Sequence, residues 1–221
     1  MCFSATGSFG VGAVIAAAGL VAAAQDKPRT HRLLAVVPLL FAAQQAAEGA
    51  VWLTMNAPEA TVHHVAVLAF LAFAVVVWPI WMPLALLTVE SRPQRRRGLR
   101  TLTAIGVAVA IYAAIVLGSQ LPVARIDGHN LAYSYAEPKN PIVLALHVPF
   151  YVLATVVPFF VSSLNKAKLM GALLAVGLLV TYVLKHDAMV STWCFFAAAL
   201  SGVIVSSIAV EQTLARGAPA G

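Results

Sequence analysis

Val62 to Thr88 reads VHHVAVLAFLAFAVVVWPIWMPLALLT. The run holds no Asp, Glu, Lys or Arg. It exceeds the about 20 apolar residues that carry a helix across a bilayer. Read as a transmembrane helix, it contains Pro79 and Pro83, so a tilt or kink is predicted. Neighbouring helices then have to re-satisfy the carbonyls that the prolines free. Six further apolar runs accompany it: Ser8–Ala24, Leu33–Leu53, Thr101–Gly118, Pro141–Val161, Leu169–Leu184 and Ser191–Val210. The first and sixth are short. The expected fold is all-α, a polytopic bundle of about seven transmembrane helices forming one domain over residues 1–221.

Composition agrees. Hydrophobic residues make up 61% and charged residues 10%, against about 25% charged in soluble domains. A globule of this length cannot hide that much apolar surface, so lipid has to cover the excess. The net charge is +6, but the basic residues sit in connections, where they set topology and meet anionic headgroups. Nucleic-acid binding is excluded on that ground. One set of connections holds Lys27, Arg29, Arg32, Arg92, Arg95, Arg96, Arg97, Arg100, Lys166, Lys168 and Arg216; the other holds only Arg125, Lys139 and Lys185. Both sets follow from strict alternation through seven spans. The asymmetry places the N-terminus outside and the C-terminus in the cytoplasm of a multi-pass cell-membrane protein, most simply the bacterial inner membrane. Residues 11–24 end in Ala22, Ala23 and Ala24 and imitate a cleavable signal. They lack a preceding basic region, and a basic stretch follows, so the first span is read as retained. Gly10 and Gly12 serve helix packing. The 119–140 connection is the longest loop, and its aromatic residues either line the interface or cap the bundle.

Ionisable residues within spans are costly and usually functional. Two stand out, Glu48 and His147. Both are expected roughly 6–8 Å to the outer side of the midplane, counted at about 1.5 Å per residue, a depth that permits a pair. Gln44 and Gln45 precede Glu48 by four and three residues, and Trp52 follows by four; Tyr151 follows His147 by four. These spacings place each group on one helix face. Such a face has to point into the bundle, as a polar clamp or as a ligand site. The charge on Glu48 favours the site, since an amide would clamp more cheaply. His63, His64 and the Lys185–Asp187 run are expected to be solvated at the interface, and Trp193 to belong to the aromatic belt. Cys2 and Cys194 both fall on the outer side. A disulfide, inert thiols, and a metal or catalytic thiol site all remain open. No tight metal-ligand spacing and no glycine-rich phosphate loop is present.

Several motifs resemble a known family. They are Met1-Cys2-Phe3-Ser4-Ala5, Pro38-Leu39-Leu40-Phe41, Gln44-Gln45 with Glu48-Gly49 and Trp52, Trp78-Pro79, Pro83-Leu84, Glu90, and Ser191-Thr192-Trp193-Cys194-Phe195-Phe196-Ala197-Ala198. The chain is similar to the uncharacterised bacterial multi-span membrane proteins that open Met-Cys-Phe-Ser-Ala. That resemblance implies a membrane bundle and carries no reaction. Seven spans with an outside N-terminus also match the layout of alkaline ceramidases and rhodopsins. The last span, however, has neither the histidines nor the lysine those families need.

Three functions follow as expectations. The first is a ligand, metal or catalytic site in the outer half of the bundle. Glu48 and His147 are its candidate catalytic groups, Gln44, Gln45, Trp52, Tyr151 and Trp193 its ligand-binding groups, and Cys2, Cys194, His147 and Glu48 its candidate metal ligands. The second is a small-solute transporter, weakened by the apolar inner halves of the spans. The third is an accessory subunit of a membrane complex. The lipid bilayer is the expected partner, with a small molecule or metal as ligand; no cofactor and no oligomeric state is specified.

Overall fold

The structure is a computed structural model that describes residues 4–25, 31–134, 141–184 and 201–206. The order of elements is α1 (Ala5–Gln25), α2 (Arg32–Ala35), α3 (Val37–Thr54), α4 (Thr61–Leu71), a π-helical turn (Ala72–Val77), α5 (Trp78–Val89) and α6 (Pro93–Ser119). There follow β1 (Val123–Asp127), β2 (Asn130–Ser134), α7 (Pro141–Thr155), α8 (Val157–Val161) and α9 (Ala167–Leu184). Residues 201–206 are helical.

Among the described residues, four helical segments are long and apolar enough to cross a membrane: Ala5–Ala24, Arg32–Thr54, Thr61–Val89 and Pro93–Ser119. This architecture is consistent with an integral membrane protein. The fifth expected span is divided, because α7 ends at Thr155 and α8 restarts around Pro158. The sixth corresponds to α9. Of the seventh, only 201–206 lies within the described residues. Apolar side chains face outward in rows, such as Ile111 and Ile115 on α6 and Val176, Leu179 and Val183 on α9. Water would not tolerate rows of this kind, and acyl chains would cover them.

Two segments expected to be loop are ordered differently. Arg95, Arg96, Arg97 and Arg100 belong to the first two turns of α6 rather than to a connection. Pro93 stands at the helix start, where its fixed φ and missing N–H cost nothing, and arginine is a good helix former. The long connection contains an antiparallel hairpin in register Val123↔Ser134 through Asp127↔Asn130, so the fold is not purely α-helical. Its two-residue turn is Gly128–His129. Gly128 takes φ +59°, which glycine accommodates without the steric penalty of a side chain.

α1 and α3 pack antiparallel. Phe9 lies over Gly49, where a Cβ would come within 2.8 Å of the ring. Gly12 lies against Gln45, and Gly19 against Pro38 and Leu39. Gly12 therefore packs as expected, while Gly10 meets nothing within 4 Å. α5 packs on α6 and α7. At the crossing with α6, Gly106 sits against the backbone carbonyl of Pro79 and leaves no room for a Cβ.

Among the described residues the interior gathers into two apolar clusters. One gathers Leu34, Phe41, Trp78, Met82, Leu86, Leu99 and Phe159 at the arginine end. The other gathers Val51, Val67, Phe70, Leu71, Leu117, Ala124 and Leu131 under the hairpin. Tyr133 stacks on Phe70 at 4.6 Å between centroids. The hairpin thus caps this end of the bundle, one of the two roles its aromatics allow.

Candidate functional site

Along α3 the chain passes from the first apolar cluster at Phe41 to the second at Val51. Gln44, Gln45 and Glu48 lie between, and all three are buried. They therefore form a polar layer at the seam between two apolar clusters. Gln45 Nε2 donates to Glu48 Oε2 at 3.4 Å. Trp78 Nε1 donates to Gln44 Oε1 at 2.7 Å, and the Trp78 ring stacks on Phe41 at 4.0 Å. Indole N–H is donor only, so this bond sets which end of the Gln44 amide is oxygen. Ser8 of α1 is fully buried, and its hydroxyl has no hydrogen-bond partner. The pairings of Phe9 with Gly49 and Gly12 with Gln45 put Ser8 near the level of Glu48.

In the third span a π turn directly precedes Trp78. In the π turn, the Trp78 N–H bonds to Phe73 O instead of Ala74 O. The next residue, Pro79, has no N–H to offer. Ala74 O is thereby left without a donor from its own helix. Tyr151 of α7 supplies one, its hydroxyl donating at 2.6 Å. Where the prolines predict a tilt or kink the helix takes a π turn, and Ala74 O is the carbonyl that a neighbouring helix re-satisfies. Nearby, Trp81 Nε1 donates to Leu33 O at 3.0 Å beside the break between α2 and α3.

The expected site residues separate into groups. Gln44, Gln45 and Glu48 come together. Trp52 is half-buried against the hairpin-end cluster. Tyr151 joins α7 to the π turn. His147 packs against Tyr112 of α6, with ring centroids 5.6 Å apart. α3 packs chiefly on α1 and α4, and α7 on α6, α5 and α8. Cys2, Trp193, Cys194 and the Lys185–Asp187 run lie outside the described residues. His63, expected to be solvated, is buried at 1% exposure, with Nδ1 2.9 Å from Thr54 Oγ1. The cause is α4 packing on the end of α3, which turns the first turn of α4 inward. Among the described residues, no three His, Cys, Asp or Glu side chains gather as a metal-binding group.

Ser8 and Trp78 were not singled out as site residues from the sequence. Nothing in their local pattern marks them, apart from Trp78 preceding a proline inside a span. Glu90 is a third omission. Its carboxylate accepts from Ser163 N at 2.6 Å, Ser163 Oγ at 2.7 Å and Arg92 N at 3.0 Å. Arg96 Nη1 donates to the Glu90 carbonyl at 2.7 Å and the Leu87 carbonyl at 3.1 Å. Glu90 thus ties the end of α5 to the α8–α9 turn. Burial pushes this carboxyl up; the hydrogen bonds from Arg92 and Ser163 outweigh that, with help from the charge of Arg95, and hold it below the usual glutamate range.

No curated protein and no solved structure matches the chain significantly. A model of DUF6629, described as a family of unknown function, matches residues 1–219, and the chain belongs to that family.

Proposed function

We propose that the chain is a multi-pass membrane protein, with the N-terminus outside, whose Glu48 layer binds a small polar ligand or cation in the outer half of the bundle. The observation that carries this reading is the full burial of Glu48 between two apolar clusters. Amides alone would clamp helices at lower cost, because a buried carboxylate requires a partner or a proton. Glu48 acts as the cation ligand or acid/base group, Gln45 orients it, and Gln44 is fixed by Trp78. Ser8 Oγ adds an unpartnered hydroxyl from the α1 side. His147 and Tyr151 keep to the Tyr112 and π-turn contacts of α7 and are not part of this layer, while Cys2, Trp193 and Cys194 are proposed to cover its outer end. The basic connections argue for seven spans and a cytoplasmic C-terminus, and hence for the cell membrane.

The test is native mass spectrometry with elemental analysis on protein purified in mild detergent. Wild type should carry a bound species. Glu48→Gln, close in shape, should stay monodisperse and lose it. Retention of that species by Glu48→Gln, or its absence from wild type, overturns the reading.

A further inference from the structure

The arginines at the start of α6 divide between two faces. Arg95 and Arg96 are half-buried. Arg95 lends its charge to the Glu90 carboxylate, and Arg96 Nη1 donates to the Leu87 and Glu90 carbonyls. Arg97 and Arg100 are exposed, and among the described residues neither makes an ion pair or a side-chain hydrogen bond. At about 100° per residue they lie opposite the face of α6 on which Leu99, Leu102, Gly106 and Val109 are buried. Ala104, Val107, Ala108, Ile111 and Ile115 follow on the same face as the two arginines, and all five are exposed. α6 contains no Asp or Glu. Glu90, the carboxylate nearest in sequence, is 2% exposed and engaged by Ser163 and the Arg92 N–H.

Two bare guanidiniums three residues apart on a helix repel one another. An anion held between them removes that penalty, and a phosphate offers oxygens that match the planar donor fork of arginine. The apolar row beside them says what the phosphate is attached to. From Arg100 to Ile111 the helix rises about 16 Å at about 1.5 Å per residue, close to half of a bilayer core of about 30 Å. A hydrocarbon chain seated on that row ends near the midplane, while its headgroup stays level with guanidiniums that reach the interface on apolar stems. Ala104 and Ala108 carry small side chains, so such a chain can approach the helix closely there. With no carboxylate on this face to receive an ammonium group, an anionic headgroup is favoured over a zwitterionic one. We propose that Arg97 and Arg100 form a binding site for one anionic glycerophospholipid, with its phosphate between the two guanidiniums and an acyl chain along Ala104, Val107 and Ile111.

This site lies on a different helix from the Glu48 layer, so the two readings fail independently. The experiment is native mass spectrometry of the full chain in mild detergent, titrated with dioleoyl phosphatidylglycerol or dioleoyl phosphatidylcholine. Wild type should take up one phosphatidylglycerol per chain more tightly than phosphatidylcholine. Arg97→Gln and Arg100→Gln should each weaken that binding about fivefold, and together about 30-fold. Both arginines are exposed and glutamine is a comparable helix former, so these variants keep the fold. Ala104→Phe keeps both arginines, obstructs the row and should also weaken phosphatidylglycerol binding. Arg125→Gln, on the hairpin at the other end of α6, should leave it unchanged. Glycerol 3-phosphate, the headgroup chemistry without acyl chains, should not displace the lipid. Equal affinity for the two lipids, displacement by glycerol 3-phosphate, or unchanged affinity in the double arginine variant or in Ala104→Phe overturns the proposal. A loss in Arg125→Gln as large as that of the double variant overturns it too, since the effect then follows net charge.

Discussion

Tyr151→Phe removes one oxygen from the molecule and leaves one carbonyl without a donor. Ala74 O cannot turn to Trp78, whose N–H is committed to Phe73 O, and Pro79 has no N–H. A buried group stranded in this way costs about 1–3 kcal/mol in soluble proteins. Side-chain hydrogen bonds between membrane helices average about 0.6 kcal/mol and reach about 1.7, because loosened helices find substitutes. Here the substitutes are missing, so the upper part of that range applies, and we expect a loss of about 1–2 kcal/mol. A second substitution isolates the cause. Pro79→Ala restores an N–H at the position that the π register directs toward Ala74 O, so Tyr151→Phe should cost much less in that background. The assay is reversible unfolding in mixed micelles with increasing SDS, run on wild type, both single variants and the double variant. A Tyr151→Phe cost below about 0.3 kcal/mol, within the additivity scatter of such cycles, refutes the reasoning. So does an equal cost in the Pro79→Ala background.

Gly106→Ala should lose about 1–3 kcal/mol, at the upper end, since the new methyl meets the Pro79 backbone rather than a yielding side chain; equal thermal stability in detergent would contradict this crossing. Glu90, held below its ordinary range, contributes stability that is fully present above the unfolded glutamate value and is lost as pH falls through the lowered folded value. Melting temperatures followed from neutral to acid pH should therefore fall more steeply in wild type than in Glu90→Gln, and parallel curves would remove Glu90 from the account.

Elements whose signal is one-dimensional were legible in the sequence. The Val62–Thr88 run, the packing role of Gly12 and the polar face of α3 follow from length, hydropathy or spacing along one helix. The hairpin has a signal too: Gly128 falls between two short runs, at a position where glycine is favoured in a two-residue turn. A segment between two apolar spans reads as a connection, which masks this signal. Hydropathy alone starts α6 at Thr101, whereas the arginines extend the helix back to Pro93, beyond its apolar part. The burial of His63 is hidden for a related reason. Position at the end of a span says nothing about which way the side chain faces, and α3 packs on that side.

Depth and azimuth are independent coordinates, and the candidate site turns on that difference. Counting residues gave Glu48 and His147 the same depth, yet depth alone does not select the neighbouring helix. Trp78, which does meet the α3 layer, arrives there through three coupled events: the π turn, the proline that follows it and the Tyr151 hydroxyl from α7. The first two leave Ala74 O without a donor from its own helix, and the third supplies one. In a plain α-helix the Trp78 N–H would reach Ala74 O and Pro79 would leave Val75 O open instead; the π turn moves the open carbonyl to Ala74, where Tyr151 donates to it. The π turn thus presents Trp78 to α3 and at the same time leaves its open carbonyl where a neighbouring helix donates to it.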